Sequence, residues 1–106
     1  MKSIGILGIG KAVPQNTFMN NDFIAYGLDT SDEWITDRTG IRQRYIAKEE
    51  TTSSLCITAA EQAINDAGIE RDLVDAVIVA TTTPDYPSFP STACLVQAGL
   101  GLREVA

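Results

Sequence analysis

Two runs of consecutive apolar residues stand out from the polar background of this chain: Ile4-Gly5-Ile6-Leu7-Gly8-Ile9-Gly10 and Ala76-Val77-Ile78-Val79-Ala80. Neither alternates, so each predicts a strand covered on both faces, the first within residues 1–13 and the second within 75–83. Elsewhere the period is helical. Leu55, Cys56, Ala59, Ala60, Ala63, Ile64 and Ala67 share one stripe, with Thr58, Glu61, Gln62, Asn65 and Asp66 opposite. This predicts a helix over 55–67, closed by Gly68, whose alanines permit close approach of a neighbour. Residues 20–26 predict a short helix capped by Asn20 or Asn21, with Phe23, Ile24 and Tyr26 turned inward. A further helix begins at a Ser91 cap and runs to residue 99. Residues 41–46 alternate loosely, as an exposed ribbon, 48–54 form a polar connection, and the proline-rich 81–90 a loop. Strand, helices, strand, helix is an α/β order with a parallel sheet. Two doubly covered strands need more cover than these helices supply, so further polypeptide is expected to complete the sheet. No repeat or linker marks a second domain.

Between the first short helix and the ribbon lies Asp29-Thr30-Ser31-Asp32-Glu33-Trp34-Ile35-Thr36-Asp37-Arg38-Thr39-Gly40. Thr30 followed by Glu33 fits a capping box, Asp32 and Glu33 put negative charge in the first turn, and Arg38 suits the last. Gly40 is placed to close the helix in the left-handed conformation. Four positions apart, Trp34 and Arg38 share a face. One reading is a nucleotide seat, with the base on the indole and a phosphate on the guanidinium. The other is an amphipathic tryptophan half-buried against the body, its edge covered by Arg38.

Charge and composition narrow the chemistry. The chain has 106 residues, and 14 acidic against 8 basic side chains give a net charge of -6, which argues against nucleic acid or anionic membrane as a partner. No apolar run has membrane-spanning length, and a cytosolic location is the default. Cys56 and Cys94 lie in apolar helical segments and are expected to stay reduced. There is no CxxC and no histidine, so a metal site is not expected, and neither a Cys-His nor a Ser-His pair can be assembled from this chain's own residues. The glycines of residues 5–10 mimic a dinucleotide-binding loop, but Lys11-Ala12-Val13-Pro14 continues extended where that motif needs a helix. Tight packing explains them better. Cys94, just inside a helix start, is a candidate nucleophile without a base, and a small packed hydrophobe is the better reading. Phe89 lies in a loop after a strand end, where it either borders a ligand site or folds onto its own domain.

Together these residues resemble β-ketoacyl-acyl-carrier-protein synthase III of the thiolase superfamily. The resemblance is carried by residues 29–35 and Arg38-Thr39-Gly40-Ile41-Arg42-Gln43-Arg44. Ala59-Ala60 through Asp66-Ala67-Gly68, Val79-Ala80-Thr81-Thr82-Thr83 and Phe89-Pro90-Ser91-Thr92-Ala93-Cys94 support it, so that it runs through essentially the whole chain. It implies a thiolase-like fold, with residues 1–106 as the N-terminal, incomplete portion of a layered αβαβα domain having a mixed, largely parallel central sheet. It also implies a homodimeric acyltransferase that condenses an acyl-CoA primer with malonyl-acyl-carrier-protein to start type II fatty acid biosynthesis, without a cofactor. Trp34 matches the family's tryptophan stacked on the coenzyme A adenine, Arg38 an arginine on its phosphates and Thr30 a threonine near the adenine. Phe89 matches a phenylalanine that enters the partner's acyl pocket, implying a short primer such as acetyl. The family's catalytic Cys, His and Asn match nothing here; the cysteine is expected shortly beyond Ala106, and Cys94 matches a helix cysteine. The loop Thr83-Pro84-Asp85-Tyr86-Pro87-Ser88 departs from the commonest family form. A polyketide or alkylquinolone starter enzyme, or a non-catalytic module that binds coenzyme A or a larger synthase, are the alternatives.

Overall fold

Thr51 opens the longest helix. Its hydroxyl accepts the Ser54 N–H at 3.2 Å while Ser54 Oγ accepts the Thr51 N–H at 2.9 Å, a reciprocal cap. In this computed structural model, which describes residues 3–104, the chain divides into two compact units. One comprises residues 3–12 and 50–104 and the other residues 13–49. In chain order the elements are β1 (Thr17–Met19), α1 (Asn20–Ala25), α2 (Asp32–Thr39), β2 (Gln43–Tyr45), α3 (Thr52–Ala67), a 3-10 turn (Arg71–Leu73) and α4 (Thr92–Leu100). Met1 and Lys2, where the first predicted strand begins, lie outside the described residues.

In the larger unit α3 packs against α4, whose Val96 and Leu100 are buried. Gly99 makes this approach possible, since a Cβ there would strike the Ile57 side chain. Gly68 and Gly101 close the two helices with φ of 64° and 62°. The Arg71 guanidinium donates to the Leu100 carbonyl and lies 3.5 Å from Glu61, tying the 3-10 turn to the end of α4. Helix α3 starts three residues earlier than its apolar stripe predicts, because the polar 48–54 stretch contains the cap.

Residues 4–10 lie against the alanine stripe of α3. A Cβ at Gly10 would collide with the Ala59 carbonyl, and one at Gly8 with the Ala63 carbonyl. This is the tight glycine packing expected from the sequence. Asp66 and Gln62, predicted on the solvent stripe, turn to this segment instead. They accept the Ile9 and Lys11 N–H groups at 3.0 and 3.3 Å. The strands predicted over 4–10 and 76–80 form no ladder among the described residues; the only described sheet is β1–β2. A strand needs a hydrogen-bonded neighbour, and none lies beside either run. Their apolar side chains are correspondingly bare: Ile4 and Ile78 are 101% and 92% exposed, and Ile6, Leu7 and Ile9 are also exposed.

The loop after residue 80 is held at the start of α3. Asp85 accepts the Ser53 N–H at 2.9 Å and the Ser53 hydroxyl, and Thr52 Oγ1 donates to the Thr83 carbonyl at 2.6 Å. The Ser53 hydroxyl foremost, outweighing an opposing effect of desolvation, lowers the Asp85 carboxyl pKa below its ordinary 3.8. A carboxyl that is more acidic folded than unfolded stabilises the fold above its ordinary pKa, and that contribution disappears as pH falls through the folded value. The urea midpoint of wild type is therefore expected to exceed that of Asp85→Asn at neutral pH, with the gap narrowing under acid. A pH-independent gap would remove Asp85 as the cause.

In the smaller unit Thr17, Phe18 and Met19 pair antiparallel with Tyr45, Arg44 and Gln43. Phe18 contacts Phe23 edge-on, with centroids 4.8 Å apart, and stacks on Tyr26 at 5.7 Å. Of the three aromatic and aliphatic residues predicted inward on α1, only Phe23 is so placed; Ile24 and Tyr26 are exposed. Six residues of helix are too short to bury a full apolar face. The cap is also different: Met19 occupies that position, while Asn20 is the first helical residue and is buried.

Candidate functional site

Helix α2 is built by its ends. Ser31 Oγ accepts the Trp34 N–H at 3.0 Å, and Gly40, with φ of 71°, returns its N–H to the Thr36 carbonyl at 2.8 Å. The predicted capping residue, Thr30, is thus displaced by its neighbour. Both offer a hydroxyl, and only backbone geometry decides which one reaches the first turn. The displaced Thr30 Oγ1 is shielded from solvent and has no hydrogen-bond partner among the described residues.

No residue of α2 is buried. Trp34 is 54% exposed, and the Arg38 guanidinium carbon stands 4.7 Å from the centroid of its ring. This is a cation–π pair at helical spacing, in which the guanidinium lies over the ring rather than covering its edge. Trp34 is therefore not a core element. With Asp29, Thr30 and Ser31 it lines a hollow of about 360 Å³. The hollow offers an aromatic wall, the Ser31 hydroxyl that caps α2 and one carboxylate, with the Thr30 hydroxyl shielded behind its wall. Such a lining suits a base or sugar, and the cation that could meet a phosphate stands outside it on Arg38.

The structure thus brings together three of the four sequence-predicted residues, Thr30, Trp34 and Arg38, within the smaller unit. The fourth, Phe89, belongs to the larger unit. It is 87% exposed near the end of the 81–90 loop, just before the Ser91 cap of α4, and does not fold onto its own body. Cys94 is exposed, contrary to its reading as a packed hydrophobe. Its N–H and sulfur both face Ser91 Oγ, at 3.3 and 3.2 Å, and Cys56 is half-buried. Arg38, Arg42 and Arg44 lie close together in sequence, but Arg44 is engaged elsewhere, donating to Asn20 Oδ1 at 3.1 Å and lying 4.7 Å from the Phe23 ring centroid. The residue that sequence reasoning missed is Asn20, whose partners lie twelve to twenty-four positions away. Among the described residues no helix is long and apolar enough to cross a membrane.

Comparison with known proteins gives the site its context. β-Ketoacyl-[acyl-carrier-protein] synthase III of Campylobacter fetus is 50% identical over 105 residues, which is 99% of this chain and 32% of that protein. The crystal structure of 3-oxoacyl-[acyl-carrier-protein] synthase III from Aquifex aeolicus superposes with a TM-score of 0.87 at 48% identity, over 94% of this chain and 32% of that one. This chain is homologous to one segment of β-ketoacyl-[acyl-carrier-protein] synthase III. It spans about a third of the length of the curated synthase III relatives it matches. No family model matches it. The priming β-ketosynthase of the R1128 polyketide pathway superposes with a TM-score of 0.86 at 29% identity, over 95% of this chain and 30% of that one. The solved neighbours, synthase III among them, have the thiolase fold, and this chain is a partial α/β piece of it. The backbone therefore follows the synthase III path even where runs 4–10 and 76–80 lack ladder partners.

Proposed function

We propose that this chain serves the β-ketoacyl-[acyl-carrier-protein] synthase III reaction by holding the nucleotide end of an acyl-CoA primer on α2. The observation that carries the reading is the exposed Trp34 ring with Arg38 fixed beside it, above a hollow lined by Thr30. Arg38 stands over the indole, and the half-exposed ring leaves surface on which an adenine would stack. Thr30, whose hydroxyl is shielded, shapes the wall of the hollow beside the base, and the guanidinium is available to the phosphates. Synthase III relatives at about half identity support this assignment.

In this proposal the chain acts by positioning. Interactions far from the reacting carbon orient the thioester, so that binding energy lowers the barrier elsewhere. The acyl group passes from coenzyme A to a cysteine, and the enolate formed by decarboxylation of malonyl-acyl-carrier-protein then attacks that thioester. The Cys, His and Asn for these steps belong to the two thirds of the relatives' length that this chain does not cover; the chain itself has no histidine. Residues 1–106 are then one part of an incomplete thiolase-like domain, and the bare Ile4, Ile6, Leu7, Ile9 and Ile78 are covered by its remainder. The protruding Phe89 suits a residue that enters a partner subunit's acyl pocket in a homodimer and limits the primer to a short acyl group such as acetyl. The enzyme is cytosolic and works without a cofactor. A second reading, a polyketide starter enzyme, is favoured by the R1128 likeness.

Trp34 is the only tryptophan, so its fluorescence reports the seat directly. Titration with coenzyme A is expected to quench it saturably, and pantetheine, which lacks the nucleotide, to leave it unchanged. Equal responses to both would overturn the assignment.

A further inference from the structure

Asn20 is 1% exposed, and its carboxamide is fully engaged. Nδ2 donates to Asp32 Oδ1 at 2.8 Å and to the Ile41 carbonyl at 2.7 Å, with Thr36 Oγ1 at 3.4 Å, while Oδ1 accepts from Arg44 at 3.1 Å. Its own N–H donates to the Arg42 carbonyl at 3.3 Å. The carboxamide therefore grips α2 at its first residue, one turn further on, and just beyond its closing glycine.

The geometry of a helix gives this grip a direction. Asp32 and Thr36 lie on one stripe; Trp34 and Arg38 lie two positions further round, a rotation of about 200°. Whatever holds the Asp32–Thr36 stripe inward presents the Trp34–Arg38 stripe outward. Most helices are held in this way by a buried apolar face, but α2 buries no residue. With only Ile35 half-buried among its apolar residues, its roll about its own axis leans on polar contacts, and Asn20 supplies those that reach both ends. Carboxamide chemistry suits the task, because one side chain both donates to Asp32 and Ile41 and accepts from Arg44.

We propose that Asn20 is the positioning residue of the Trp34–Arg38 face, fixing the roll of α2 so that the indole and guanidinium point outward together. That this face takes coenzyme A rests on the function proposed above; the positioning itself does not. The test substitutes Asn20→Asp in the full chain, which keeps the shape and the Arg44 contact but removes both donors and sets a carboxylate against Asp32. The near-ultraviolet circular dichroism of Trp34 without ligand is expected to collapse while far-ultraviolet helix content persists. Adding Asp32→Asn, which restores a donor–acceptor pair between positions 20 and 32, is expected to recover much of the signal. Coenzyme A affinity, read by Trp34 quenching, is expected to fall on the order of tenfold in the single variant. An unchanged near-ultraviolet spectrum in Asn20→Asp overturns the positioning role whether or not coenzyme A binds. If wild type shows no quenching, the coenzyme A reading fails, and the spectra alone still decide the role of Asn20. Should Asn20→Asp lose its helix content, Asp32→Ala reads the same contact from the helix side. A weakened Trp34 signal then supports the proposal, and a wild-type spectrum overturns it.

Discussion

Trp34→Ala is expected to weaken coenzyme A binding by one to two orders of magnitude, measured by titration calorimetry because the fluorophore is lost. Base stacking on an aromatic side chain contributes roughly 1–3 kcal/mol per base, and here the ring is already exposed and oriented. The effect should track the nucleotide: a ligand without adenine should bind wild type and variant alike. Arg38→Lys serves as the companion measurement. Lysine keeps the charge but loses the planar fork that lies over the indole and, in the proposed site, would meet a phosphate in two places, so the conservative change should still weaken binding. If Trp34→Ala binds coenzyme A as tightly as wild type, α2 is not the seat.

The second large effect concerns stability. Gly10→Ala is expected to cost about 2–3 kcal/mol in urea unfolding, since the added methyl meets the Ala59 carbonyl, the Ala63 nitrogen and Gln62 Cβ. Two of these three atoms are backbone of α3 and cannot rotate aside. Gly5→Ala is the control: a Cβ there meets nothing within 4 Å, and the midpoint should hold or rise slightly. Equal losses at both positions would mean that the alanine stripe of α3 is not the surface against which residues 4–10 pack.

What could be read from the residues follows the range of the interactions involved. Gly40, Gly68 and Ser91 announce helix ends because each acts within one turn, and the structure places all three as expected. The shared face of Trp34 and Arg38 is equally local. Cap choice fails by one position at Ser31 and at Met19, and the start of α3 gave no cap signal, because at Thr51 a serine, Ser54, replaces the acidic residue usual in a capping box. Strand β1 is three residues long, too short for any periodicity to register. Asn20 is opaque for a different reason. Its worth lies in Asp32, Ile41 and Arg44, and only folding brings them to it. The unbroken apolar runs gave the right α/β class but not a ladder, since pairing is a property of two segments and each run is only one.

Because α2 fully buries no side chain and turns only its Asp32–Thr36 stripe inward, the chemistry of its outer face is decoupled from folding. Glu33 and Asp37, both exposed, can be exchanged for neutral or basic residues without disturbing packed carbon. Evolution or an engineer can thus retune the electrostatics around the indole by surface charge alone, provided that the inward stripe anchored by Asn20 is left intact.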